Sequence, residues 1–84
     1  MTIETSIARE MTNNELIDAA RVITFEFSPV VSLATALTAL MNVEQESRLA
    51  AEFARDYSSK RFFENNNREI RIIQAEIIRR IRGN

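Results

Sequence analysis

Residues 67–83 read NREIRIIQAEIIRRIRG, and this stretch decides the fold class of the chain. Its apolar residues fall at i, i+3, i+7 and i+11, which is a single stripe of an α-helix: Ile70, Ile73, Ile77 and Ile81. Asn66 and Glu69 match a capping box just before the stripe, and Gly83 is a typical stop signal just after it. The pattern predicts a C-terminal helix that buries isoleucine and turns its arginines toward solvent.

Residues 27–43 carry no charged side chain, and this run predicts the central helix of the fold. Ser28 suits an N-cap, and Pro29 suits the first helical position. A helix that is apolar on nearly every side is a buried one, so we expect a nearly all-apolar central helix over about residues 29–41. The run of 17 residues is at the short limit of a membrane span, and its polar side chains favour a protein core instead.

Two more helices are predicted on either side of the central one. Thr12 and Glu15 match a capping box, so a first helix should begin there and extend to about residue 27. Residues 22–27, VITFEF, are rich in β-branched and aromatic side chains, so a short strand is the alternative for them. Asn42 suits the cap of a third helix over about residues 43–57.

Two segments have patterns that do not choose between structures. Residues 1–11 fit one helical stripe or one face of a strand, so they form an N-terminal arm of undecided structure. The three asparagines at 65–67 predict a break between the third and the last helix, because asparagine is a poor helix former and a good cap. The alternative is one long helix that passes through them.

Length and composition limit residues 1–84 to one small helical domain with a modest core. Glycine and proline each occur once, which is too few for the turns of a sheet-rich domain. Without cysteine, no disulfide can stabilise the fold. No signal peptide is apparent, so we expect a cytoplasmic protein. Together with the helical patterns, this composition predicts an all-α bundle of three or four helices.

The composition also argues against catalysis. Histidine and cysteine are absent, which removes the commonest general base and the thiol nucleophile. The carboxylates show no metal-ligand spacing, and the single glycine cannot form a phosphate-binding loop. We therefore expect no enzyme activity and no catalytic, cofactor-binding or metal-binding residues.

The charge is divided unevenly along the chain. Residues 1–59 hold nine acidic and four basic residues, a balance of −5, and residues 60–84 hold three acidic and seven basic ones, a balance of +4. The predicted basic face comprises Lys60, Arg61, Arg68, Arg71, Arg79, Arg80 and Arg82. Guanidinium groups suit phosphate or carboxylate partners, so this face would bind a nucleic acid or an acidic protein surface. The acidic overall pI of about 5.4 makes nucleic acid the less favoured partner.

Four apolar side chains lie off the stripes of the predicted third and last helices or at their edges: Phe62, Phe63, Ile72 and Ile78. An exposed apolar patch is typical of a surface that binds another protein. We therefore predict a non-enzymatic protein–protein interaction module, regulatory, inhibitory or accessory, that forms a homodimer, binds a larger protein partner, or does both. The alternative is a nucleic-acid-binding regulator that uses the basic C-terminal helix. No membrane partner is expected.

Overall fold

A computed structural model of the chain describes residues 4–24 and 30–83. The described part contains four helices, namely α1 (Thr5–Glu10), α2 (Asn13–Thr24), α3 (Leu33–Phe53) and α4 (Tyr57–Ile81). Helix accounts for 85% of it, and no strand occurs within it, which confirms the predicted all-α bundle. None of these described helices is long and apolar enough to cross a bilayer.

The centre of the fold is a hairpin of α3 and α4, the two longest helices. Residues 54–56 connect them, and so short a link makes the two helices antiparallel neighbours. An ion pair of 3.5 Å between Arg71 Nε and Glu44 Oε1 shows which turns face each other. Each step forward along α3 therefore matches about one step back along α4, which brings Ser47 level with residue 68 and within one residue of Asn67.

The core lies where α2 packs on this hairpin. Its largest fully buried side chains are Leu16, Leu40, Ile70, Ile73 and Ile77. Burial of each such side chain stabilises the fold by about 1.5–3 kcal/mol. The isoleucine stripe predicted for the last helix is thus confirmed in its first three members. Ile81, the fourth, is 51% exposed in the last turn of α4.

The short helix α1 packs on the C-terminal half of α4, so part of the N-terminal arm is helical. Arg80 makes the connection: its Nη2 donates to the carbonyl oxygens of Ala8 at 3.2 Å and of Arg9 at 3.3 Å. Its Nη1 donates to Asn13 Oδ1 at 2.9 Å. A six-residue helix is too short to be stable alone, so these contacts and the complete burial of Ala8 fix it in place.

The predicted start of the first long helix is confirmed. Thr12 N donates to Glu15 Oε1 at 2.9 Å, and Glu15 N donates to Thr12 Oγ1 at 3.1 Å, which is the predicted capping box. Residues 22–24 are helical, which removes the strand alternative for them. Residues 25–27 lie outside the described part of the chain.

The central helix begins later than predicted. Ser32, not Ser28, is its N-cap, and Val30 and Val31 precede the helix. Ser32 Oγ accepts from the N–H of Thr35, and the Thr35 hydroxyl accepts from the N–H of Ser32 in return. This reciprocal pair satisfies two backbone donors at the start of α3. Residues 28 and 29 themselves lie outside the described part.

The breaks predicted at the asparagines are also wrong. Asn42 lies inside α3, and residues 65–67 lie inside α4. The alternative of a helix that passes through residues 65–67 is correct there, but α3 and α4 remain two separate helices. An asparagine costs a helix only about 0.7 kcal/mol relative to alanine, which is less than burial of a neighbouring isoleucine returns. The chain breaks instead at residues 54–56, where Asp56 caps α4 by accepting from Ser59 N at 2.9 Å.

Candidate functional site

An apolar groove of about 800 Å³ opens between the end of α2, the middle of α3 and the first half of α4. We call it the apolar groove, and its lining residues are Ala19, Val22, Ile23, Thr24, Val43, Glu46, Ser47, Ala50, Phe62, Phe63, Asn66 and Glu69. Three helices thus form the walls of one open depression. Depressions of this shape typically receive a helix or another apolar segment.

The groove forms where the inward face of α4 extends further along the hairpin than the described part of α2, which packs on it. Phe62, Asn66 and Glu69 are spaced i, i+4 and i+7, one turn after another on the face that continues into the buried isoleucines. α2 reaches this part of the hairpin with its last two turns and ends at Thr24. Among the residues that the structure describes, the α3–α4 hairpin therefore extends beyond α2.

We call residues 43–69 the distal hairpin. Every residue in this range is described, and the two that are buried, Ser47 and Asn67, are both polar. Neither Ser47 Oγ nor Asn67 Oδ1 has a hydrogen-bond partner. Buried polar atoms are nearly always paired. Two unpaired ones lie close together here, on a hairpin whose apolar groove is open among the residues that the structure describes.

Large apolar side chains are exposed at the tip of the distal hairpin. The exposed fraction is 52% for Leu49, 78% for Phe53, 74% for Tyr57 and 65% for Phe62. The ring of Phe62 meets that of Phe63 edge to face, with centroids 5.5 Å apart. Single exposed apolar residues are ordinary, but a cluster beside an apolar groove is typical of an interaction surface.

The predicted apolar patch is distributed over more than one surface. Phe62 and Phe63 lie together in the wall of the apolar groove. Ile78 lines a second, smaller groove of about 360 Å³ with Leu37 and Met41. Ile72 is half-buried and lines neither groove. The two phenylalanines are therefore the members that the structure brings together.

The predicted basic face is likewise divided among several contacts. Arg79 and Arg80 both donate to Glu76, the closest contacts being 2.6 Å and 2.7 Å to its Oε2. Arg71 pairs with Glu44, and Arg61 Nη1 donates to the Tyr57 hydroxyl at 3.0 Å. The other three members, Lys60, Arg68 and Arg82, are exposed at different heights along α4. Much of the basic charge thus faces groups of the chain itself.

Glu76 is the most strongly perturbed acid among the described residues. Its side chain is 4% exposed, and it accepts hydrogen bonds from both neighbouring guanidinium groups. The bonds from Arg79 and then Arg80 outweigh desolvation and lower the pKa of the Glu76 carboxyl from 4.5 to about 2. The carboxylate therefore stays charged at any physiological pH, and its role is structural.

The groove offers mainly apolar contacts and few charged side chains. Among the residues the structure describes, no group of three or more acidic side chains is placed to bind a metal ion. The charged residues of the lining are Glu46 and Glu69, which lie on opposite walls. Apolar walls with a few polar groups are typical of a binding surface.

The sequence analysis found Phe62 and Phe63 but missed the other two walls. Val22 and Ala50 line the groove from α2 and α3, although nothing in either local pattern separates a groove wall from a core position. One signal was present in the sequence. Counting back in helical steps from the isoleucine stripe leads through Asn66 to Phe62, so the apolar face of the last helix begins before the asparagines.

Comparison of the chain with protein-family models, with curated proteins and with solved structures finds no match in any of the three. No relative therefore supplies a function. The groove, the distal hairpin and the exposed residues at its tip are the features from which a function can be proposed.

Proposed function

We propose that the protein is a non-enzymatic protein–protein interaction module that self-associates and uses the apolar groove with the tip of the distal hairpin as its contact surface. One observation carries the proposal. Across residues 43–69 the chain presents an amphipathic helical hairpin whose inward face buries no apolar side chain in the monomer. A partner would complete that face.

The energetics support association. Aromatic side chains contribute more than other residues to protein interfaces because they bury large areas with little loss of conformational freedom. Three of them, Phe53, Tyr57 and Phe62, are largely exposed at one end of this molecule. A stable dimer buries about 800 Å² on each partner, about one-seventh of the 5952 Å² surface of this chain.

The proposal also covers the biological role expected from the sequence. A small protein of this kind could act by binding to the surface of a larger protein. The same groove would then serve a regulatory, inhibitory or accessory role. The proposal keeps the cytoplasmic location expected from composition. The larger partner would bind as a helix or apolar segment, since these are the shapes that a groove between helices accepts.

Sedimentation equilibrium at micromolar concentration tests the proposal. We expect a mass of about twice 9.7 kDa. Phe62→Glu, which introduces a charge into the groove wall, should shift the mass toward the monomer. Ile81→Glu is the matched control, because Ile81 is also apolar, exposed and on α4 but lies outside the groove. A wild-type mass of 9.7 kDa at about 100 μM, far above the concentrations at which specific complexes form, would overturn self-association.

A further inference from the structure

We infer that α1 detaches from α4 and returns as a unit while the bundle of α2, α3 and α4 stays folded, and that Arg80 is the anchor that holds α1 in its closed position. This inference goes beyond the proposed function, because α1 and Arg80 lie at the end of α4 opposite the apolar groove. It follows from three observations: the small apolar burial of α1, the contacts of Arg80 and the separate start of α2.

The small apolar burial of α1 is the first observation. Of residues 5–10, all of them described, Ala8 alone is buried. Ile7 is the largest apolar residue of α1, and it is 46% exposed. Ala8 is not a member of the contiguous core cluster that α2, α3 and α4 form. The cluster therefore keeps all its members when α1 detaches, and segments with so few buried apolar contacts are those that open locally.

The contacts of Arg80 are the second observation. Its Nη2 donates to the carbonyl oxygens of Ala8 and Arg9, which lie in the last turn of α1, where a helix leaves its carbonyl groups without their usual partners. The same guanidinium also donates from Nε to Glu76 Oε2 at 2.7 Å and from Nη1 to Asn13 Oδ1 at 2.9 Å. These two bonds do not involve α1, so they keep Arg80 in position for its return.

The separate start of α2 is the third observation. Met11 follows α1 in extended backbone, with φ −71° and ψ 142°. α2 then begins with the capping box of Thr12 and Glu15. Both partners of this box lie within residues 12–15, so it needs no contact from α1. Rotation of the backbone at Met11 can therefore move α1 and leave α2 intact.

Detachment changes the surface at this end of the molecule. It uncovers the side of the Arg80 guanidinium that faces the carbonyl groups of α1 and the surface on which Ala8 is buried. Six residues without an anchor do not stay helical, so the open segment is an unfolded arm. The protein thus has a closed and an open form that share one bundle.

Amide hydrogen exchange, measured residue by residue with NMR, tests the inference. The amides of Ala8 and Met11 are hydrogen-bonded to Glu4 O and Ala8 O, bonds that exist only while α1 is formed. We expect these amides to be protected at least about 100-fold less than those of Ile73 and Ile77 in the buried stripe of α4. Their exchange rates should also be nearly independent of urea, because a local opening exposes little surface.

A conservative variant tests the anchor. Arg80→Lys keeps a positive charge beside Glu76 but replaces the planar fork with one ammonium group, which cannot hold all of these acceptors at once. Loss of a charge-assisted hydrogen bond should make the α1 amides exchange about 10-fold faster, with a much smaller change at Ile73 and Ile77. Arg71→Lys is the matched control, since Arg71 is also a carboxylate-paired arginine of α4, and it should leave the α1 amides unchanged.

Three results would overturn the inference. Amides of α1 that match Ile73 in protection and in urea dependence would show that α1 belongs to the cooperative core. Acceleration of α1 and of Ile73 by the same factor in Arg80→Lys would show that the two open together. Equal effects of Arg80→Lys and Arg71→Lys on α1 would show that Arg80 is not its anchor.

Discussion

The two halves of the α3–α4 hairpin contain the same kind of helix and have opposite surroundings. In the half near the chain ends, α1 and α2 cover the hairpin, and its inward side chains are fully buried. In the distal hairpin, residues 43–69, the buried positions are Ser47 and Asn67, and the aromatic residues are exposed. An amphipathic pattern therefore does not by itself make a core. It becomes a core where a further helix lies over it, and among the described residues no helix lies over the tip of the distal hairpin.

The comparison predicts that a charge is tolerated in one half and not in the other. Leu40→Asp would place an unpaired carboxylate in the fully buried core of the covered half. We expect a loss of more than about 4 kcal/mol, a large part of the stability of a small domain. Urea unfolding followed by circular dichroism measures it. Leu49→Asp is the matched change at an exposed site of the distal hairpin, and a monomer equally unfolded by it would break the comparison.

A second prediction concerns the ion cluster that joins α1 to the covered half. Glu76→Gln removes the carboxylate that both Arg79 and Arg80 contact, and we expect a loss of about 2 kcal/mol at pH 7. Thermal unfolding measures it, and Glu64→Gln, an exposed glutamate on the same helix, is the control. Equal effects from the two changes would show that the cluster adds nothing beyond ordinary surface charge.

The same carboxylate gives the fold a defined dependence on pH. Its pKa is about 2 in the folded chain and 4.5 without these partners. A lowered pKa means that the stabilisation is complete above about pH 4.5 and is lost as the pH falls toward 2; it amounts to up to about 3 kcal/mol. Unfolding free energies measured from pH 6 to pH 2 should therefore fall more steeply for the wild type than for Glu76→Gln. Parallel curves would contradict this account.

The third prediction tests the boundary between the halves. Asn67→Leu replaces a buried side chain whose Oδ1 has no partner with an apolar one of similar size. Removal of an unsatisfied buried acceptor should raise the free energy of unfolding by about 1 kcal/mol. Chemical denaturation is the measurement, and Asn65→Leu, at an exposed position of the same helix, is the control. A loss of stability would show that the amide makes a contact that the fold needs.

The smallest expected effect concerns nucleic acid. Four phosphate contacts by Arg68, Arg71, Arg79 and Arg82 would give a log–log salt slope near −3 for generic DNA or RNA. Arg71 and Arg79 already face carboxylates of the chain, so we expect little binding at physiological salt. Fluorescence anisotropy decides the question. Submicromolar binding at that salt, abolished in the double variant Arg79→Ala, Arg82→Ala, would put the nucleic-acid regulator first.

Sequence patterns were sufficient where burial and local capping agree. The isoleucine stripe and the Thr12–Glu15 capping box both predicted what the structure contains. They failed where a weak local preference competes with packing. Asn42 and the asparagines at 65–67 disfavour the helix by about 0.7 kcal/mol each, and the burial of Leu40 in α3 and of Ile70 and Ile73 in α4 outweighs that preference. Helix propensity alone does not give the size of the packing contribution, because the side chains that pack against these helices lie far away in the sequence.

The groove was harder to predict than the fold for a different reason. Phe62 and Phe63 stood out because they are large and lie off the apolar stripe of the predicted third helix. The feature that makes them a surface is where α2 ends relative to the other two helices. That relation depends on how three helices align in space. The predicted starts of the central and the last helix are both at the wrong residues, since Ser32 caps α3 and Asp56 caps α4. The alignment of the three helices therefore could not be predicted from the sequence.

The contact of Arg80 with the backbone of α1 has a consequence for the order of folding. The residues it joins are 72 and 71 positions apart. A ribosome adds about 5–20 residues per second, so on the order of 4–14 s pass between synthesis of Ala8 and synthesis of Arg80. Throughout that interval residues 5–10 lack their anchor and are too few to remain helical alone. Residues 5–10 are therefore fixed only after Arg80 has been made, and chaperones can reach them until then.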